Sequence, residues 1–336
     1  MKREEANNFL TKIEEEMPSI EKKKFLSYAA VVENSKINND FIIELGICLE
    51  SAGLLEFHEN LIDVVYEVWN SELIRKKIKE EQIIAIDCGL VDKLDKDTDG
   101  DDCCVEIRKY KKYQQKLEGG LSISNVKHFA KSGTLGCIFK LKGSKAKYAI
   151  TNAHVVDYSS CKHNHKTIMH PSKSDSTFST NIEIGNIHWI CDNEYVDASI
   201  IELKSTIEIG KPLRCSTLDL DIPISPVENM TVIKCGRSTG LTQGSIRSIK
   251  CCLFIYNDNG TIKKRYRDQI ITSCMACKGD SGSVLVQEKT GHVVGLIFAK
   301  SFGKTQVNFA NIFTNIFSQQ VSQTQCKPQI EFDQFI

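Results

Sequence analysis

No stretch of this 336-residue chain approaches the roughly 18 consecutive apolar residues of a membrane-crossing helix. The opening residues, charged at Lys2, Arg3, Glu4 and Glu5, lack the apolar run of a secretory leader. Neither sign of charge is in excess, since Lys and Arg total 43 and Asp and Glu total 43. A formal net charge of zero removes the basic field that would draw nucleic acid or an anionic membrane. No internal repeat is visible. These absences predict a soluble, cytoplasmic chain with no nucleic-acid or membrane partner, and no residue pattern demands a cofactor.

What is present suffices for a sizeable core, because 41% of residues are hydrophobic and 26% charged. The length fits one large domain with a smaller one. There are 14 cysteines, with adjacent pairs at Cys103-Cys104 and Cys251-Cys252. In a long chain without a secretory leader they are expected to be reduced thiols.

Residues 1–85 read as helical, without Gly-rich hairpin signals. Ser19 can cap a helix over Glu21 to Val32, and Asn39-Asp40 can cap one opening at Phe41. Leu61, Ile62, Val64, Val65, Val68 and Trp69 recur at helical spacing. Residues 86–118 read as a linker, acidic at Asp95 to Asp102 and basic at Arg108 to Lys112. From about residue 119 the pattern changes to short β-rich runs separated by Gly, Asn, Asp and Ser. Examples are Gly136 to Phe139, Tyr148 to Thr151, Ser199 to Ile201, Met230 to Ile233, Ser283 to Val286 and His292 to Ile297. Many short strands of this kind predict an all-β barrel or sandwich over 119–322, followed by a tail over 323–336.

Amide hydrolysis by a serine needs a base to take the hydroxyl proton, an acid to orient the base, and donors for the developing oxyanion. Ala149 to Val156 ends a β-run in small residues and then His154. Asp197 stands directly before the alternating run Ala198 to Leu203. Cys277-Lys278-Gly279-Asp280-Ser281-Gly282-Ser283 places a serine between glycines, ahead of another β-run. Gly279 permits a turn that residues with a Cβ resist, and the N–H groups of Gly279 and Ser281 can converge as an oxyanion hole. Singly, each motif could be a buried histidine, an Asp turn or an ordinary Gly-Asp-Ser-Gly turn. Together, in the order His, Asp, Ser, they are those of one constellation.

These motifs resemble the trypsin-like serine peptidases of the chymotrypsin superfamily, of the non-secreted type. The resemblance covers about residues 119 to 320. It includes Gly119 to Ile123, Gly133 to Gly136, the hairpin Gly236-Arg237-Ser238-Thr239-Gly240, and Val293 to Ala299, which resembles the strand lining the substrate cleft. It implies a double β-barrel, a His154-Asp197-Ser281 triad, an oxyanion hole at Gly279 and Ser281, and protein or peptide substrates. It also places Met275 and Ala276 at the base of the primary pocket, from which an apolar preference is expected. Val155 and the lack of a nearby cysteine after Ser281 depart from the disulfide pattern of secreted relatives. No Ile-Val-Gly-Gly-like segment precedes the barrel to supply an ammonium to Asp280.

Further upstream, Asn8 to Ile13, Phe25 to Tyr28, Leu49 to Leu55 and Asn60-Leu61 resemble a death effector domain, a six-helix bundle. The resemblance implies homotypic partners and clustering of a tethered enzyme. Its late charged motif would fall at Asn70 to Leu73, with Asn70 in place of the arginine. A generic helical bundle is the plainer reading. The rival to an enzyme is a signalling adaptor whose protease-like part is a binding platform or latent. Asp95 to Glu106 fits an EF-hand formula but reads more simply as acidic linker. Cys161, His163, His165 and His170 lack a second spaced pair for zinc and read as a polar loop, so no metal is expected.

Overall fold

The computed structural model describes residues 1–16, 26–33, 40–48, 83–88, 91–93, 108–127, 131–156, 166–176, 181–214, 218–257, 261–318 and 331–336. The leading strands are β1 (Leu26–Glu33), β2 (Phe41–Ile47), β3 (Ile83–Asp87) and β4 (Val91–Lys93). Then come β5 (Leu117–Gly119), β6 (Ser122–Asn125), β7 (Gly133–Thr134), β8 (Ile138–Leu141), β9 (Tyr148–Thr151), β10 (Thr167–His170), β11 (Ile182–Asp192), β12 (Asp197–Leu203) and β13 (Ile209–Leu213). The last set is β14 (Thr231–Gly236), β15 (Gly240–Tyr256), β16 (Ile262–Ser273), β17 (Val284–Gln287), β18 (Val293–Ser301), β19 (Val307–Ile312) and β20 (Phe332–Phe335). The helix α1 spans Arg3–Glu16, and single turns lie at Arg108–Lys111, Ala153–Val156 and Phe313–Ile316.

Two barrels follow from these strands. The first sheet runs β20-β8-β9-β12-β11-β10-β6-β7. Its ends are tied where Leu135 N–H donates to Leu121 O (2.8 Å) and Gly136 N–H to Ile150 O (2.8 Å). The second runs β14-β17-β18-β19-β16-β15 and closes through β14–β15 pairing. Strand alternation sorts the side chains. On β12, Ile201 and Leu203 fill the first barrel, while Ala198 and Ile200 face a layer shared with Ile233, Val284 and Leu296 of the second. The second barrel's interior holds Val232, Ile246, Ile270, Leu285 and Ile297. The all-β double barrel expected for the C-terminal part is therefore present.

The helical expectation for the N-terminal part fails where it can be compared. Leu26–Glu33 and Phe41–Ile47 are strands, not helices. β1 pairs with β15 (Ala29 opposite Cys252) and with β2, and β2 pairs in parallel with β3, so these strands extend the second barrel's sheet. The physical reason is burial on both faces. Seven of the eight β1 residues are buried, so the run shows no alternation and its periodicity cannot separate strand from helix. Partners decide: Tyr28 packs edge-on against Phe309 at 5.4 Å, and its hydroxyl donates to Glu44 Oε1 at 2.6 Å. No death-fold bundle is formed by these residues. The helix α1 does form, and buries Phe9, Leu10 and Ile13. The expected helices at 61–69, the EF-hand-like loop and Cys161 to His165 lie outside the described residues. No described helix is long and apolar enough to cross a membrane.

The cysteine expectation also changes. Among the described residues, Cys48, Cys88, Cys137, Cys191, Cys251, Cys252, Cys274 and Cys277 are thiols, but Cys235 is disulfide-bonded.

Candidate active site

The turn Ala153–Val156 follows β9 and presents His154. Val155 and Val156 anchor it in the first barrel, and Asn125 Nδ2–H donates to Val156 O at 3.1 Å. Asp197 opens β12, fully buried. One carboxylate oxygen accepts the His154 backbone N–H at 3.1 Å, and the other lies 2.7 Å from His154 Nδ1. An ionised carboxylate only accepts, so Nδ1 carries the proton and Nε2 is left as an acceptor. His154 Nε2 lies 2.9 Å from Ser281 Oγ. The imidazole thus bridges a carboxylate and an alcohol across the seam of the two barrels. His154 is 8% exposed, so its contacts act in a poorly screened setting.

Asp197 is held from both sides. Its N–H donates to Asn311 Oδ1 of β19 at 3.1 Å, and its carbonyl accepts Asn152 Nδ2–H at 2.7 Å. Asn311 is fixed in turn by donating to Gln269 Oε1 at 2.7 Å. Close by, burial first and then the charges of Asp197 and Asp192 push the Tyr266 phenol far above its ordinary value. It stays protonated and donates to Asp192 Oδ1 at 2.7 Å.

Ser281 sits on a tight turn that Asp280 ties down. Gly279 has φ +92 and Gly282 φ +95, backbone that residues with a Cβ rarely adopt. A Cβ on Gly279 would also collide with Ser238 and Arg237. The first barrel grips the turn: Thr134 N–H donates to Ser281 O (2.7 Å), and Thr134 Oγ1–H to Gly279 O (2.9 Å). Among the described residues, the N–H groups of Gly279 and Ser281 have no hydrogen-bond acceptor.

Asp280 accepts from Ser238 N–H (2.8 Å), Thr239 Oγ1–H (2.6 Å) and Cys277 N–H (3.0 Å). It also pairs with Lys234 Nζ at 3.3 Å, both side chains fully buried. The cation beside Asp280 comes from β14. A second buried pair follows it: Arg237 holds Asp175 bidentately, at 2.5 and 2.6 Å, across the two barrels. Reading the sequence missed Lys234, Asn311 and the Arg237–Asp175 pair. The hairpin motif containing Arg237 was the one available signal.

Met275 and Ala276, expected at the base of the primary pocket, lie on the loop between β16 and β17 that leads to Ser281. Both are buried and pack in the second barrel's interior, with their N–H groups donating to Asn308 Oδ1 at 2.7 and 2.9 Å. His170 is no ligand either. Its Nδ1–H donates to Ser122 O at 2.8 Å, and Nε2 accepts Gln114 N–H at 3.2 Å.

Two barrels with a His-Asp-Ser arrangement at their seam define the trypsin-like class of fold. The Trypsin family model matches residues 143–321, just over half of the chain, and the chain belongs to that family. Among solved structures it is similar to a glutamic acid-specific serine protease described as using a histidine triad in substrate binding (16% identity, TM-score 0.45, covering 61% of this chain and 97% of that one). It is similar to a Nocardiopsis protease (13%, TM-score 0.45, covering 61% and 97%) and to the chymotrypsin of Cellulomonas bogoriensis (15%, TM-score 0.42, covering 65% and 99%). A comparison with curated proteins finds no match.

Proposed function

We propose that the chain is a serine endopeptidase whose catalytic unit spans 119–322. Ser281 Oγ attacks the substrate carbonyl while His154 Nε2 takes the hydroxyl proton. Asp197 holds the imidazole in the required tautomer and stabilises the imidazolium. The N–H groups of Gly279 and Ser281 receive the oxyanion. His154 then passes its proton to the leaving amine, giving an ester on Ser281. Water, deprotonated by the same imidazole, hydrolyses that ester and restores the enzyme. The observation carrying this reading is the His154 ring spanning 2.7 Å to Asp197 and 2.9 Å to Ser281. A fluorophosphonate probe is expected to label the wild type and not Ser281→Ala; equal labelling of both sinks the assignment.

One observation favours a latent form of this enzyme. β17 leaves the edge of β18 after Leu296, and β4 takes that edge at Ala299 to Ser301, pairing antiparallel. β4 advances towards Phe298, whose carbonyl lies 3.3 Å from Ser281 Oγ. An extended peptide docks by adding a strand to such an edge, so the chain's own segment competes with substrate. Asp92→Pro, which disfavours strand pairing, is expected to speed peptide hydrolysis while labelling by the small probe stays constant; unchanged hydrolysis would rule latency out. Clustering through a helical recruitment domain forms no part of the proposal, because the described N-terminal residues beyond α1 are strands.

A further inference from the structure

Three long cationic side chains are buried among the described residues: Lys234, Arg237 and Lys300. Lys234 has Asp280 and Arg237 has Asp175. Lys300 is 5% exposed, and no carboxylate among the described residues forms an ion pair with it; in the β4–β18 register Asp92 stands opposite it. Its ammonium donates to Cys277 Sγ at 3.6 Å and lies 5.7 Å from the centre of the Phe302 ring. A thiol is a weak acceptor and a ring offers only its face, so most of this ammonium's bonding capacity is unmet. A buried charge is tolerated when a counter-charge completes it.

The place of this ammonium is informative. Lys300 lies on β18, two residues beyond Phe298, whose carbonyl lies 3.3 Å from Ser281 Oγ. Cys277 lies four residues before Ser281, on the loop that carries the nucleophile. The Lys300–Cys277 contact therefore crosses between the two walls that flank Ser281. The backbone is fixed on both walls: Lys300 is paired with Asn308 of β19, and Asn308 holds the N–H groups of Met275 and Ala276 on the facing loop. A second ammonium, of Lys278, lies 5.3 Å from the same Phe302 ring.

We propose that Lys300 determines specificity, and that the side chain it selects on the acyl side of the scissile bond is acidic, aspartate or glutamate. The substrate carboxylate, arriving on the edge that β4 vacates, supplies the counter-charge that no described ion pair gives Lys300. This differs from the apolar preference that the resemblance implied through Met275 and Ala276, which pack in the second barrel's cluster. The inference rests on the endopeptidase reading and names the substrate class of that site.

The test uses the full chain and pairs of fluorogenic peptides differing only in Glu or Gln before the cleaved bond. The wild type is expected to favour Glu in kcat/KM by at least about tenfold, as for a charge-assisted contact made at the reacting centre. Lys300→Met should erase that ratio by lowering kcat/KM for the Glu peptide. Fluorophosphonate labelling of both proteins, which needs no peptide side chain, reports that the nucleophile is folded and reactive. Labelling with a Glu-to-Gln ratio near one in the wild type overturns the specificity proposal alone, as does a ratio that survives Lys300→Met. Absent labelling of the wild type ends the endopeptidase reading and this inference with it.

Discussion

The first barrel holds His154 and Asp197 through backbone and amide contacts, from Asn125, Asn152 and the β12 main chain, whereas the second holds Ser281 through a buried ion pair and two glycines in left-handed backbone. The difference follows from what each group must do. An imidazole and a carboxylate need orientation, which neutral hydrogen bonds give at little desolvation cost. A serine on a tight turn needs an anchor that fixes the turn, and Asp280 provides it with four hydrogen bonds and Lys234. Changes in the first barrel should therefore separate catalysis from stability, and changes around the second barrel's anchor should join them.

The largest effect is expected at Asp197→Asn. The amide presents a donor to Nδ1, reverses the tautomer and removes the base, so kcat should fall by about 10⁴. Unfolding in urea should shift far less than activity does, and a parallel loss of stability would break the contrast drawn between the barrels. Next comes Lys234→Met. It strands a buried carboxylate and is expected to cost about 3–5 kcal/mol in urea unfolding, with activity falling too. Lys204→Met, which removes an exposed pair with Glu183, is its control and should cost no more than about 1 kcal/mol.

The first barrel carries its own titration. Burial pushes the His170 pKa down to about 4. Its native hydrogen bonds require a neutral ring, while the unfolded chain takes a proton near pH 6.5, so the unfolded state binds more protons between these values. This residue's contribution to stability is fully present above about pH 6.5. It falls as pH drops towards 4 and then levels off, for a total of about 3 kcal/mol. Urea midpoints across that range for wild type and His170→Gln should show the slope reduced in the variant. The smallest effect is at Asn311→Ala, where the second barrel steadies Asp197. A loss of about tenfold in kcat with KM unchanged is expected, since the contact orients and does not bind substrate.

Legibility followed locality. His154, Asp197 and Ser281 were readable because each sits in a short motif at a strand end, with its chemistry spelled within a few residues. The double barrel was readable because turn residues punctuate alternating runs. Lys234, Asn311 and Asp175 were not, because each acquires its role from a partner 42 to 114 residues away. β1 and β2 misled for a different reason. Their runs, Leu26 to Val32 and Phe41 to Ile47, are apolar on both faces, and a fully buried strand has no period to read. Only the docking of Tyr28 against Phe309 and Glu44 decides for a strand there.

That His154, Asp197 and Ser281 work as one unit is tested most directly by a double-mutant cycle on peptide hydrolysis. Ser281→Ala and His154→Ala should each lower kcat by about 10⁵–10⁶, and the double variant should be no worse than either single one. Losses that add, with the double variant far below both singles, would mean that the two side chains act independently and would contradict the account.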